Sequence, residues 1–237
     1  MSNPLFRDQW TGKAASVRAV IVQLGVDERE LLMKYENELF EDSHPKAPIF
    51  TELLSGNPTN ATISYLVRRL TEGFGHLRGD RSGAEYGADL VLGWLVEDAF
   101  HKWAFEADIA PALSGYDRNR EFLRPGRISA ASDFVVGASR RKLELATDYK
   151  GHWQRTGKYD LRDSKFSKLV SENAILFLID VMNSRGAVLD LSTPDRYAVK
   201  QIPFHPVYRK PAMQISGVRE LLVPISEATS GLVDLVG

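Results

Sequence analysis

The stretch AILFLIDV at residues 174–181 constrains the fold more than any other part of the chain, because Asp180 is its one polar residue. It is far short of the roughly 20 residues that cross a bilayer. It is also too short and too uniformly apolar for a surface helix, so it reads as a central strand with layers on both faces. The preceding sequence supplies candidate layers. Residues 14–24 and 27–40 carry apolar positions at helical spacing and are separated at Gly25, with Asp27 and Glu30 in a capping arrangement. Pro45 and Pro48 interrupt that pattern, and residues 59–77 predict another helix with Arg68 and Arg69 beside its apolar face. Residues 77–87 form a polar, glycine-rich connection holding Arg78 and Arg81. A long helix follows over 88–107, with Leu92, Leu95, Val96 and Phe100 in its stripe and Trp94 a core residue.

After Pro111 the pattern changes. Residues 131–136 are β-branched and aromatic, GASR at 137–140 is a compact turn, and 141–150 alternate, which together predict a β-hairpin. Residues 163–171 suit a short helix and 187–191 a further strand. Pro203, Pro206, Pro211 and Pro224 predict a loop-rich C-terminal segment beyond Pro194. The expected fold is α/β: a mixed β-sheet core with a hairpin, flanked by helices, and an N-terminal helical layer. Residues 1–82 would form that layer and 83–237 the core, packed as one compact domain.

Composition narrows the chemistry. With 43% hydrophobic and 26% charged residues, the chain is expected to be globular. The absence of cysteine excludes disulfides, zinc–thiolate sites and a cysteine nucleophile, and suits a reducing, cytoplasmic setting. Residues 1–10 lack a secretory pattern, and no apolar run predicts a membrane partner. Thirty basic against 31 acidic residues, a net charge of −1, argue against a protein that merely coats nucleic acid. A nucleic-acid enzyme remains compatible, since metal-binding acids offset phosphate-binding cations. The five histidines show no paired metal spacing, and neither a P-loop nor a G-x-S-x-G elbow occurs.

The hairpin carries the strongest chemical signal. On the strand KLELATDYK at 142–150, Lys142, Glu144, Ala146, Asp148 and Lys150 share one face. A turn centred on 137–140 places Val136 opposite Arg141 and Asp133 opposite Glu144. Opposed residues have Cβ atoms about 4.5–5.5 Å apart, so these carboxylates repel unless a cation lies between them. Mg²⁺, with Mn²⁺ as a substitute, is the natural oxygen-ligated ion. Asp148 is about 13 Å along the strand at roughly 3.3 Å per residue, too far to share it.

These residues, with the helix and the apolar strand that follow, resemble the core of the PD-(D/E)XK nucleases, particularly type II restriction endonucleases, over roughly residues 85–185. The resemblance implies Asp133 and Glu144 as metal ligands, Glu97 as a further acid from a preceding helix, and hydrolysis of double-stranded DNA at a specific site by a homodimer. Ser132 stands where a proline often precedes the acid, and Ala146 stands where the motif has its catalytic lysine. Three explanations fit Ala146: an inactivated variant, replacement by Lys150 or Lys142, or a module that binds without cutting. Asp148-Tyr-Lys150 is an alternative acid-x-lysine signature in a shifted register. Lys150, His152, Arg155 and Lys158, interleaved with Trp153, are candidate DNA contacts, as are His205, Arg209 and Lys210 near Lys200 and Tyr208. A structure-specific repair or recombination nuclease and a silent DNA-binding module are the alternative functions.

Overall fold

The computed structural model describes residues 4–74, 82–109, 111–114, 119–122 and 132–237. The chain divides into two compact units, one comprising residues 1–103 and 116–129, the other 104–115 and 130–237. Among the described residues, no helix is long and apolar enough to cross a membrane.

The first unit is helical: α1 (Pro4–Gln23), α2 (Glu28–Met33), α3 (Lys46–Ser55), α4 (Asn60–Phe74) and α5 (Gly83–Glu106), the last belonging here as far as Trp103. Asp27 caps α2 by accepting the Arg29 N–H at 2.8 Å, but α2 ends at Met33, well before the predicted residue 40. Tertiary contacts end it: the Tyr35 ring stacks on Phe50 at 4.1 Å and its hydroxyl donates to buried Asp98. The predicted stripe of α5, with Trp94, is buried. Arg68 and Arg69 lie 3.5 and 4.0 Å from Asp42, whereas Arg78 and Arg81 lie outside the described residues.

The second unit holds the sheets. In chain order its elements are β1 (Ala112–Leu113), β2 (Phe134–Val136), β3 (Arg141–Asp148), α6 (His152–Thr156), β4 (Lys158–Arg162), α7 (Asp163–Ser171), β5 (Ile175–Asp180) and β6 (Arg185–Asp190). There follow β7 (Ala198–His205), β8 (Lys210–Ser216), α8 (Val218–Leu221), β9 (Val223–Pro224) and α9 (Ile225–Val236). One sheet has the order β1-β2-β3-β5-β6-β9, with β3 and β5 parallel and the other neighbours antiparallel. Every residue of β5 is buried, as its apolar run requires. A second sheet, β4-β8-β7, contributes Tyr159, Leu161 and Ile215 to an apolar cluster that also takes Phe166 and Leu169 of α7 and Leu176 and Leu178 of β5. Across the main sheet, α9 approaches β6 so closely that a Cβ on Gly186 would lie 2.9 Å from that of Ala228.

The segment beyond Pro194 is therefore mostly ordered secondary structure, a correction to the loop-rich expectation. Its prolines sit where strands and helices tolerate them. Pro203 lies within the irregularity between Ile202 and His205 and Pro211 lies across from it on β8, where the ladder is already broken, and Pro224 directly precedes α9.

Candidate active site

A tight turn sets the hairpin's register. Gly137 has φ +69°, Arg140 has φ +54°, and the Arg140 N–H donates to the Gly137 carbonyl at 3.0 Å. A side chain on Gly137 would come within 2.6 Å of the Val236 carbonyl oxygen, so the turn takes glycine for both conformation and space. Val136 pairs with Arg141, Val135 with Lys142 and Phe134 with Leu143. The pairing ends there, and Asp133 and Glu144 are the next residues beyond it on the two segments. The Leu145 N–H donates to Asp133 Oδ2 at 2.9 Å, holding that carboxylate along β3. The Ser114 N–H donates to the Asp133 carbonyl at 2.8 Å, fixing its backbone from the other side.

Glu144 lies on the sheet face covered by α7. Its Oε2 is 2.7 Å from Lys165 Nζ, and both side chains are largely buried, at 14% and 16% exposure. The sequence offered no signal for this contact, because no spacing links a helical lysine to a strand 21 residues earlier; docking of α7 through Phe166 and Leu169 creates it. The Tyr159 hydroxyl is pushed well above its ordinary range by burial first, then by the charges of Glu144, Tyr208, Asp133 and Asp160. Asp133 and Glu144 thus lie within electrostatic reach of one phenol.

Ala146 packs against the apolar cluster of Leu176, Leu178 and Trp153. Lys150 is exposed and lies in the bend that follows β3, two residues beyond its last residue, Asp148. Lys142 is about 6.6 Å from Glu144 on the opposite side from Ala146. Asp148 is buried and accepts the N–H groups of Lys150 and Trp153 at 2.9 and 2.8 Å, so both its oxygens hold the turn into α6. Glu97, in the helical unit, pairs with Arg120 at 2.5 Å.

The predicted DNA-binding residues fall in two places. His152, Arg155 and Lys158 are exposed around α6, near Lys150. Arg209 and Lys210 are exposed at the β7–β8 turn, while His205 stacks on Tyr208 at 4.5 Å and lies 3.4 Å from Asp160.

Among the described residues, no group of three or more acidic or histidine side chains gathers as a metal site. Two carboxylates on adjacent strands nevertheless fit the usual mode of Mg²⁺, which is bound through one or two carboxylates together with water and substrate phosphate. No family model, curated protein or solved structure matches the chain.

Proposed function

We propose that this protein is a Mg²⁺-dependent endodeoxyribonuclease, of restriction type, in which Asp133 and Glu144 hold the cation and Lys165 supplies the ammonium absent at Ala146. The observation that carries this reading is the cluster itself: Asp133 held against β3 by Leu145, Glu144 one residue away, and Lys165 on Glu144 at 2.7 Å. The succession of hairpin, helix and parallel apolar strand also supports it, since the resemblance to PD-(D/E)XK nucleases rests on that order.

In this account, water adds to phosphorus, the bond to the 3′ oxygen breaks, and that oxygen takes up a proton while the water's proton passes to solvent. A bound divalent ion would supply positive charge at the phosphate and lower the pKa of water. Asp133 and Glu144 fix its place, and the Leu145 N–H keeps Asp133 oriented. Lys165 donates to the attacking water or a phosphate oxygen, opposing the charge that develops there. Cutting both strands requires two such sites, so a homodimer belongs to the reading.

Ala146 favours a second reading, a DNA-binding module without turnover. Incubation with long genomic duplex DNA separates the two. The nuclease reading expects Mg²⁺-dependent fragments that disappear with chelator and in Asp133→Asn and Glu144→Gln. Intact DNA with the unaltered protein and Mg²⁺ or Mn²⁺ would leave the silent module.

A further inference from the structure

The β7–β8 ribbon exposes apolar side chains on a rigid, cationic support. Phe204 and Val207 are 63% and 74% exposed, among the most exposed large hydrophobic residues of the described structure. Their exposure does not come from a loose tip. Tyr208 donates its hydroxyl to the Asp160 carbonyl at 2.9 Å and stacks on His205, whose Nε2 lies 3.4 Å from Asp160 Oδ2. Gln214 donates to the other Asp160 oxygen at 2.9 Å, so strand β4 anchors the turn. Pro203 and Pro206 further restrict the backbone on either side of Phe204.

Charge indicates what this tip meets. Residues 195–216 contain Arg196, Lys200, Arg209 and Lys210 against a single acid, Asp195. The register Asp160↔Gln214 and Lys200↔Gln214 places Lys200 on the face that also carries Lys158 and Arg162 of β4. All three are exposed. Asp160, the acid amid these cations, is engaged by Gln214 and His205. Pairing with β4 stops at Ala212, so the ribbon is two-stranded only at its end, which carries Arg209, Lys210 and the apolar tip. Such an end matches the major groove of duplex DNA, which admits a two-stranded ribbon between two rows of phosphates. Apolar side chains there can contact thymine methyl groups, while lysine and arginine hold the backbone.

We propose that the β7–β8 ribbon is the sequence-reading element of the protein: it enters the major groove of duplex DNA with Phe204 and Val207 against base edges, while Lys200, Arg209 and Lys210 contact phosphate. This rests on DNA being the partner, as in the proposed function, but not on cleavage. His205, stacked on Tyr208 and beside Asp160, helps to position the tip.

The test is selection of bound sequences from a random pool of short duplexes in chelator, where no cutting occurs, with affinity measured by fluorescence anisotropy. The unaltered protein is expected to enrich a defined sequence. Phe204→Ser/Val207→Ser should bind the starting pool within about threefold of the unaltered protein and enrich no sequence, because the phosphate-binding cations remain. Lys200→Ala/Arg209→Ala/Lys210→Ala should bind the pool at least about tenfold more weakly, with a shallower salt dependence. Enrichment of the same sequence by the Phe204/Val207 variant would overturn the proposal. So would failure of the unaltered protein to bind any duplex, particularly if it self-associates and the Phe204/Val207 variant abolishes that association. Binding and enrichment without cleavage of genomic DNA in Mg²⁺ would uphold the ribbon while removing the nuclease reading.

Discussion

Lys165 and Glu144 form a carboxylate–ammonium pair where neither side chain is well solvated, so each charge depends on its partner or on whatever replaces it. The proposed function makes a specific demand of this pair. Lys165→Ala should lower Mg²⁺-dependent cleavage of genomic DNA by about 10²–10³-fold, the loss typical of one transition-state donor. The same variant should keep its affinity for Mn²⁺, because the carboxylates remain. An unchanged cleavage rate would remove Lys165 from the chemistry. A second residue-scale prediction concerns Arg120, which is 1% exposed and holds both Glu97 and Asp98. Arg120→Met takes the guanidinium from both acids, while Lys34 and Tyr35 still hold Asp98, and should cost about 3–5 kcal/mol in denaturant unfolding of the whole chain. The hairpin register, with Val136 opposite Arg141, was legible because a short turn fixes it arithmetically. Lys165 was not, because its approach depends on how a helix docks.

At the scale of elements, the turn at Gly137 and the clasp at Asp190 set where β3 lies. Gly137→Ala meets both a left-handed backbone and the Val236 carbonyl. It should destabilise the protein by more than about 1 kcal/mol, measured as a lowered thermal midpoint. Asp190, at the end of β6, binds the Arg141 guanidinium at the start of β3 and accepts the Ser192 N–H at 3.0 Å. Burial raises its carboxyl pKa, but the bonds from Arg141 and Ser192 outweigh it and hold the group below its ordinary value of 3.8. A depressed folded-state value stabilises the fold fully above the ordinary value, and the contribution disappears as pH falls below it through the lower folded one. Asp190→Asn should therefore lower stability at neutral pH and flatten the part of the acid-unfolding curve below about pH 4. Strand β5 could be read from the sequence because its apolar run is unbroken, and helix α7 because Phe166, Leu169 and Val170 recur at helical spacing. The β7–β8 ribbon could not, since prolines that mark a bulge and a turn have the same composition as a loop.

For the whole molecule, a net charge of −1 conceals separated charge. Glu144, one of the acids proposed to hold a cation, pairs with Lys165 of α7, while Lys150, Arg155 and Lys158 are exposed around α6. If that surface meets phosphate, replacing those three with alanine should weaken binding to duplex DNA and reduce the salt slope by up to about 0.9 for each phosphate no longer neutralised. Unchanged affinity and slope would assign DNA binding to other surfaces. The claim on which the functional account turns is that Asp133 and Glu144 share one ion. Calorimetric titration with Mn²⁺ tests it directly, using the unaltered chain, Asp133→Asn, Glu144→Gln and the double variant. The account predicts one ion per chain, at least about tenfold (~1.4 kcal/mol) weaker in each single variant, and little further loss in the double variant, since residues serving one site do not act additively. No binding by the unaltered chain, or single variants that bind as it does, would contradict the shared site.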